Sequence, residues 1–162
     1  VRIEHLQSDI NKAMYGRFAG HPALKAADYK LAVHLKNGRG VYTFCMCPGG
    51  EVINASSEED KIAVNGMSNS RRDGVNANCA LLVNVNPEDL PNNGVLAGCE
   101  FQQKIEQKAY EIGGGMVPVI TVGEFVFGVD NTDQTVIPTV KPATAKSDFS
   151  KIFPDFVTDS HN

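Results

Sequence analysis

Two thiols one residue apart mark the most unusual stretch of this sequence, Phe44-Cys45-Met46-Cys47-Pro48-Gly49-Gly50, where an apolar strand pattern runs into a Pro-Gly-Gly turn. Backbone amides in a glycine-rich turn can approach a planar ligand or an anion where a side chain would collide. The stretch reads equally as a tight turn holding two small hydrophobes, since cysteine often fills space without reacting. A Cys45–Cys47 disulfide would close a very small, strained ring, and strained bridges are the labile, redox-active kind. A reducing environment would open it. The expectation is therefore two reduced thiols in a loop whose shape rests on Pro48, Gly49 and Gly50.

A second polar stretch, Asn65-Gly66-Met67-Ser68 followed by Arg72-Asp73-Gly74-Val75-Asn76-Ala77-Asn78, reads as a long connection between two strands. Arg72 could hold a carboxylate or phosphate by its planar fork, and the asparagines could read a polar ring edge. Local roles compete with these, because Asn and Asp satisfy turn backbones and Arg72 can pair with Asp73 at the surface. The triple glycine Gly113 to Gly115 follows a helical pattern, whereas a dinucleotide fingerprint follows a strand and opens a helix. It reads as a helix stop. No phosphate loop, Gly-x-Ser-x-Gly elbow or Ser-x-x-Lys nucleophile occurs, so the chain lacks the parts of a free-standing nucleotide enzyme. Cys45, Cys47, Cys79 and Cys99 form no Cys-x-x-Cys pair, and His5, His21, His34 and His161 are scattered, so no metal site is expected. Cysteines this sparse fit a reducing cytoplasm.

The elements that must position these residues follow from periodicity. Alternating or β-branched runs predict strands over Val1 to Glu4, Tyr29 to Lys36, Val41 to Met46, Glu51 to Ala55, Lys61 to Asn65, Cys79 to Asn84 and Ile120 to Phe127. Asn37-Gly38 predicts a tight hairpin turn. Gly98 to Ile112 places Phe101, Ile105, Ala109 and Ile112 on one stripe, spaces Glu100 and Lys104 for pairing, and offers Gly113 as C-cap, predicting a helix packed on the sheet. A shorter helix is predicted from an N-cap at Ser8 to Gly16, with Ile10, Ala13 and Met14 inward. The expected fold is α+β, a β-rich single domain with a mostly antiparallel sheet, one long helix and a short N-terminal helix. After about Asp130, Pro138, Pro142 and Pro154 predict an extended strap outside the core.

With 162 residues, 42% of them apolar, the chain can close one hydrophobic core. A net charge of -4 with 21% charged residues is not the profile of a polyanion binder, so nucleic acid is not an expected partner. The longest apolar candidate, Met116 to Val129, is broken by Pro118, Gly123, Glu124 and Gly128, short of the ~18 residues a membrane span needs. No export-type segment opens the sequence, and a first residue other than Met points to a piece of a longer chain.

Taken in order, the motifs from Tyr42 to Gly50, Asn65 to Ser68 and Arg72 to Asn78 resemble the middle segment of bacterial FAD-dependent oxidoreductases, the NAD(FAD)-utilising dehydrogenases. Val1 to His5, Met14-Tyr15-Gly16, the Gly98 to Tyr110 helix and Phe153 to Val157 extend the likeness across most of the chain. The family pattern generally has Ser in place of Cys79, and Gln and Asp in place of Ile120 and Glu124. The resemblance implies a flavin domain split in sequence, with this chain, residues 1–162, as the inserted domain: a core over about 1–129 and a strap over 130–162 leading back. Such an insert covers the flavin ring and shapes the substrate pocket. The implied cofactor is FAD in the full-length protein rather than on this fragment, with NAD(P) as a further one. The implied partners are the flavin domain of the same polypeptide and a small-molecule substrate. Candidates for the flavin or substrate face are Cys45, Met46, Cys47, Pro48, Gly49, Gly50, Asn65, Gly66, Met67, Ser68, Arg72, Asn76 and Asn78. The alternative is a docking module that recognises a protein or polar ligand without redox chemistry.

Overall fold

The computed structural model describes residues 1–129 and 136–158. The strands are β1 (Arg2–Leu6), β2 (Ala32–His34), β3 (Gly40–Cys47), β4 (Gly50–Asn54), β5 (Val64–Ser68), β6 (Asn76–Val83), β7 (Val117–Val119) and β8 (Thr144–Lys146). The helices are α1 (Gln7–Tyr15), α2 (Ala97–Gly113), α3 (Val122–Phe127) and α4 (Asp155–Thr158). Strands β1, β6, β3 and β2 lie in that order in one antiparallel sheet, β4 and β5 form a separate antiparallel hairpin, and β7 pairs with β8 in parallel. The chain is thus α+β with mainly antiparallel sheets. Among the described residues no helix is long and apolar enough to cross a membrane.

The β2–β3 turn forms at Asn37-Gly38, where Gly38 takes φ 81 and its N–H donates to Leu35 O at 2.9 Å. The flanking strand is Ala32–His34, shorter than the predicted Tyr29 to Lys36, with Leu31 O still accepting from Thr43 N at 2.9 Å. The predicted strand over Lys61 to Asn65 moves along to Val64–Ser68, where it pairs with β4. Helix α2 buries the expected side, with Ala97 and Ala109 inside and Phe101, Ile105 and Ile112 half-buried. Gly114 rather than Gly113 takes the left-handed C-cap, at φ 59. This helix packs on the β7–β8 pair, not on the large sheet, and the observed partner of Glu100 is Asn92 at 2.9 Å.

Two sequence expectations fail for clear physical reasons. The apolar run from Ile120 to Phe127 is mostly helix, because Thr121 and Glu124 form a reciprocal capping box that nucleates α3 and Gly128 ends it at φ 65. Helix α1 begins at Gln7 with Leu6 as N-cap, so Ser8 sits inside it, and it turns Gln7, Ile10 and Asn11 inward while Ala13 and Met14 stay exposed. Gly16 ends it as expected.

The described part of the C-terminal segment contributes to the core. Ile152, only 2% exposed, joins Ile62, Ala109 and Val117, with Val140, Phe149 and Phe153 packed around them. Nearer the large sheet, the Glu4 carboxylate accepts hydrogen bonds from Thr139 N at 2.9 Å and from Thr139 Oγ1 at 2.8 Å, while Val52 N donates to Thr139 Oγ1. The expectation of a strap outside the core does not hold for Val140, Phe149, Ile152 and Phe153; residues 130–135 and 159–162 lie outside the described residues.

Candidate functional site

The two motif stretches come together around the β4–β5 hairpin, which packs over the large sheet. Gly50 pairs with Ser68, Ser68 Oγ donates to Pro48 O at 2.8 Å, and Gly74 N donates to Gly49 O at 3.1 Å. Asn65, Gly66, Met67 and Ser68 are strand rather than loop residues, and so are Asn76 and Asn78, which begin β6. The expected long connection is thus confined to the short stretch between Ser68 and Asn76.

The glycines make room for the protein's own atoms. A Cβ on Gly49 would stand 2.0 Å from Arg72 O, one on Gly50 2.5 Å from Met67 O, and one on Gly74 2.6 Å from Gly49 O. At Gly66 a Cβ would meet Asn78 Oδ1 at 2.2 Å and the Arg2 guanidinium at 2.3 Å. Cys47, Pro48, Gly49, Gly50, Asn76 and Asn78 are all buried within this chain. Gln7, itself buried at the start of α1, accepts from Gly49 N at 2.6 Å and donates to Ala27 O at 3.0 Å, so helix and turn are locked together. The candidates left at the surface are Cys45, Asn65, Met67 and Arg72, with Met46, Gly66 and Ser68 partly covered.

Cys45 stands out among them. The β3–β6 register shifts between Phe44 and Cys47, and at this bulge Cys45 takes φ 49, a left-handed conformation uncommon outside glycine. Arg2 holds the bulge: its NH2 donates to Cys45 O at 2.7 Å and approaches Cys47 Sγ at 3.5 Å, its Nε donates to Asn78 Oδ1 at 2.7 Å, and its NH1 reaches Asn65 Oδ1 at 3.5 Å. The cation beside the thiols is thus Arg2, while Arg72 N–H is taken by Asn69 Oδ1 at 2.6 Å. The signal was present in β1, where Arg2 and Glu4 alternate with Ile3 and therefore face the same way into the fold, where charges need partners. Burial pushes the Cys47 thiol upward, and Arg2 only partly opposes it.

All four cysteines are free, with Cys45 and Cys99 exposed and Cys47 and Cys79 buried. Thiol titration with a disulfide reagent is expected to read the two exposed thiols quickly in the native chain and the two buried ones only on unfolding. Fast reaction of Cys47 would show that the bulge opens in solution.

A half-buried chain of polar contacts supports the loop from the opposite face of the sheet. His5 Nε2 and Tyr29 OH are 2.7 Å apart, Tyr29 OH lies 3.3 Å from Cys79 Sγ, and Tyr29 N donates to Met46 Sδ. Burial and the neighbouring Cys79 push the Tyr29 phenol far above its ordinary range, so it stays a neutral hydroxyl. Burial also holds His5 below its ordinary value of 6.5, against a smaller opposing pull from Asp9. The unfolded chain then takes up the His5 proton first as pH falls, so this contribution is complete above the ordinary value and drains away below it. The denaturant midpoint is expected to fall between about pH 7 and about pH 5.5, and His5→Gln is expected to flatten that fall. An equally steep fall in the variant would assign the pH dependence to other groups.

Among the described residues no group of three or more His, Cys, Asp or Glu side chains could hold a metal ion. Among the described residues no glycine-rich turn opens a helix as a dinucleotide pyrophosphate site does, and the space beside Gly49, Gly50, Gly66 and Gly74 is taken by the protein's own atoms. Exposed along the hairpin and bulge are Cys45, Asn65 and Met67.

A protein of Clostridium beijerinckii, named only as an uncharacterized protein, is 44% identical over 164 residues, an alignment that takes in 99% of this chain and 31% of that protein. The chain thus spans about a third of that relative's length. Residues 1–162 match the family described as FAD-dependent protein, C-terminal domain-like, and the chain belongs to that family.

Proposed function

We propose that this chain is the cap domain of an FAD-dependent oxidoreductase, inserted beside the flavin-binding domain of the same polypeptide, where it covers the flavin and shapes the pocket for a small-molecule substrate. The observation that carries the reading is the exposed Cys45 bulge, a non-glycine residue held in a left-handed conformation and pinned by Arg2. Backbone strain of this kind persists where surrounding structure over-determines it, and it clusters at active sites and ligand clamps. Bulges beside active sites re-aim a side chain, and this one leaves Cys45 exposed while Arg2 reaches both Cys45 O and Asn65 Oδ1.

When bound, the flavin would supply the electron transfer. This chain supplies position and exclusion. Cys45, Asn65 and Met67 form the surface turned toward the ring and substrate, and Arg2, Gln7, Asn78 and the glycines hold that surface still. Met67, 58% exposed, and Phe44, 59% exposed, give the edge an apolar character suited to keeping water from a ring. NAD(P) as hydride donor belongs to the same proposal.

Deletion of this domain from the complete flavoprotein tests the reading. The expected result is a remainder that still holds FAD but loses substrate turnover, while the isolated chain purifies colourless. Unchanged turnover after deletion would leave a docking module without a part in the chemistry.

A further inference from the structure

We propose that the cleft between α1 and the loop at 72–75 is a binding site for a small anion that presents a phosphate or carboxylate group. The cleft, about 500 Å³, lies beside the motif loops yet on their α1 side, and it is lined by Ser8, Asn11, Tyr15, His21, Lys25, Arg72 and Asp73 among others. Its volume is in the range of small-molecule sites, about 300–1,000 Å³.

The lining is rich in donors. Asn11 spends its Oδ1 on Gln7 Nε2 at 2.8 Å and Ala27 N at 2.9 Å, which leaves its Nδ2 hydrogens for a ligand. His21 Nδ1 accepts from Ala23 N at 3.2 Å, which places the proton of the neutral ring on Nε2 as another donor. Lys25 and Arg72 add two positive charges against the single carboxylate of Asp73, whose Oδ1 already accepts from Asn69 Nδ2 at 2.7 Å. The Tyr15 ring supplies an apolar wall.

Arg72 is mounted with care. Its backbone takes φ 55, its N–H is capped by Asn69, and its carbonyl fills the space over Gly49 that a Cβ would occupy. The backbone from which the guanidinium projects is therefore fixed, while among the described residues that guanidinium makes no hydrogen bond or ion pair. A planar fork with five donors on a fixed mount suits bidentate capture of phosphate or carboxylate. This inference does not depend on the flavin reading.

The test is calorimetric titration of the full chain with inorganic pyrophosphate and, separately, with succinate. Arg72→Asn removes the fork but tolerates the left-handed backbone, and Lys25→Gln removes charge from the other wall, so the two variants probe the cleft independently. One anion is expected to bind saturably and to lose about tenfold or more in affinity in each variant, as expected for hydrogen bonds to charged groups. Pyrophosphate binding would identify a phosphate ligand and succinate binding a carboxylate. Arg71→Gln, which removes a neighbouring charge outside the cleft, is expected to change little. Absence of saturable binding by either anion, or an equal loss in Arg71→Gln, would overturn the proposal.

Discussion

Alanine at position 49 is expected to remove ~4 kcal/mol or more of folding stability, enough to unfold a domain of ordinary stability. Two costs coincide there. Gly49 has φ 52, where a Cβ is disfavoured, and the added atom would stand 2.0 Å from Arg72 O, 2.2 Å from its carbonyl carbon and 2.9 Å from Asp73 N. All three neighbours are backbone, so no side chain can swing aside, and Gly74 is itself pressed against Gly49 O. Gly114→Ala provides the internal control, since Gly114 has a similar φ of 59 but nothing within 4 Å of the new Cβ. That variant is expected to lose only ~1–2 kcal/mol, the backbone cost alone. Denaturant melts followed by circular dichroism compare the two. Equal losses would mean that the 72–74 loop yields easily and does not define the turn.

Arg2→Met is the second large effect, with an expected loss of about 2–4 kcal/mol. Arg2 satisfies Asn78 Oδ1 and Cys45 O, and Asn78 is fully buried with an Nδ2 that already lacks a partner. Without Arg2 the whole Asn78 amide would be buried unpaired, and the Cys45 bulge would lose the contact that holds its carbonyl. An apolar pair costs far less than a broken polar one, so Asn78→Leu in the Arg2→Met background is expected to recover much of the loss. If the two substitutions instead add, the pair is not coupled and the bulge is held by other contacts. In the complete flavoprotein, Arg2→Met is also expected to lower turnover, because the surface it orders would drift.

Much of this arrangement could be read from the sequence because local rules and tertiary contacts agree. Asn37-Gly38 specifies its turn through backbone conformation alone, and the Phe101, Ile105, Ala109, Ile112 stripe survives whatever surface the helix meets. In the run from Ile120 to Phe127 the β-branched residues suggest a strand, while the Thr121–Glu124 capping box decides for helix. The candidate site was legible as a set of segments but not as an arrangement. Glycine next to glycine signals close approach, yet only the fold shows that the approaching atoms are Arg72 O, Met67 O and Asn78 Oδ1. Arg2 was hidden for a related reason: its partners are 43 to 76 residues away in sequence, and no local pattern announces a long-range polar tie.

The claim that this domain caps a flavin is tested most directly by the structure of the complete flavoprotein with FAD bound. The account predicts that Cys45, Asn65 or Met67 lies in van der Waals contact with the isoalloxazine ring or with a substrate stacked on it, at ~4 Å. Burial of the ring elsewhere, with the Cys45 bulge facing open solvent on the far side of the domain, would contradict it.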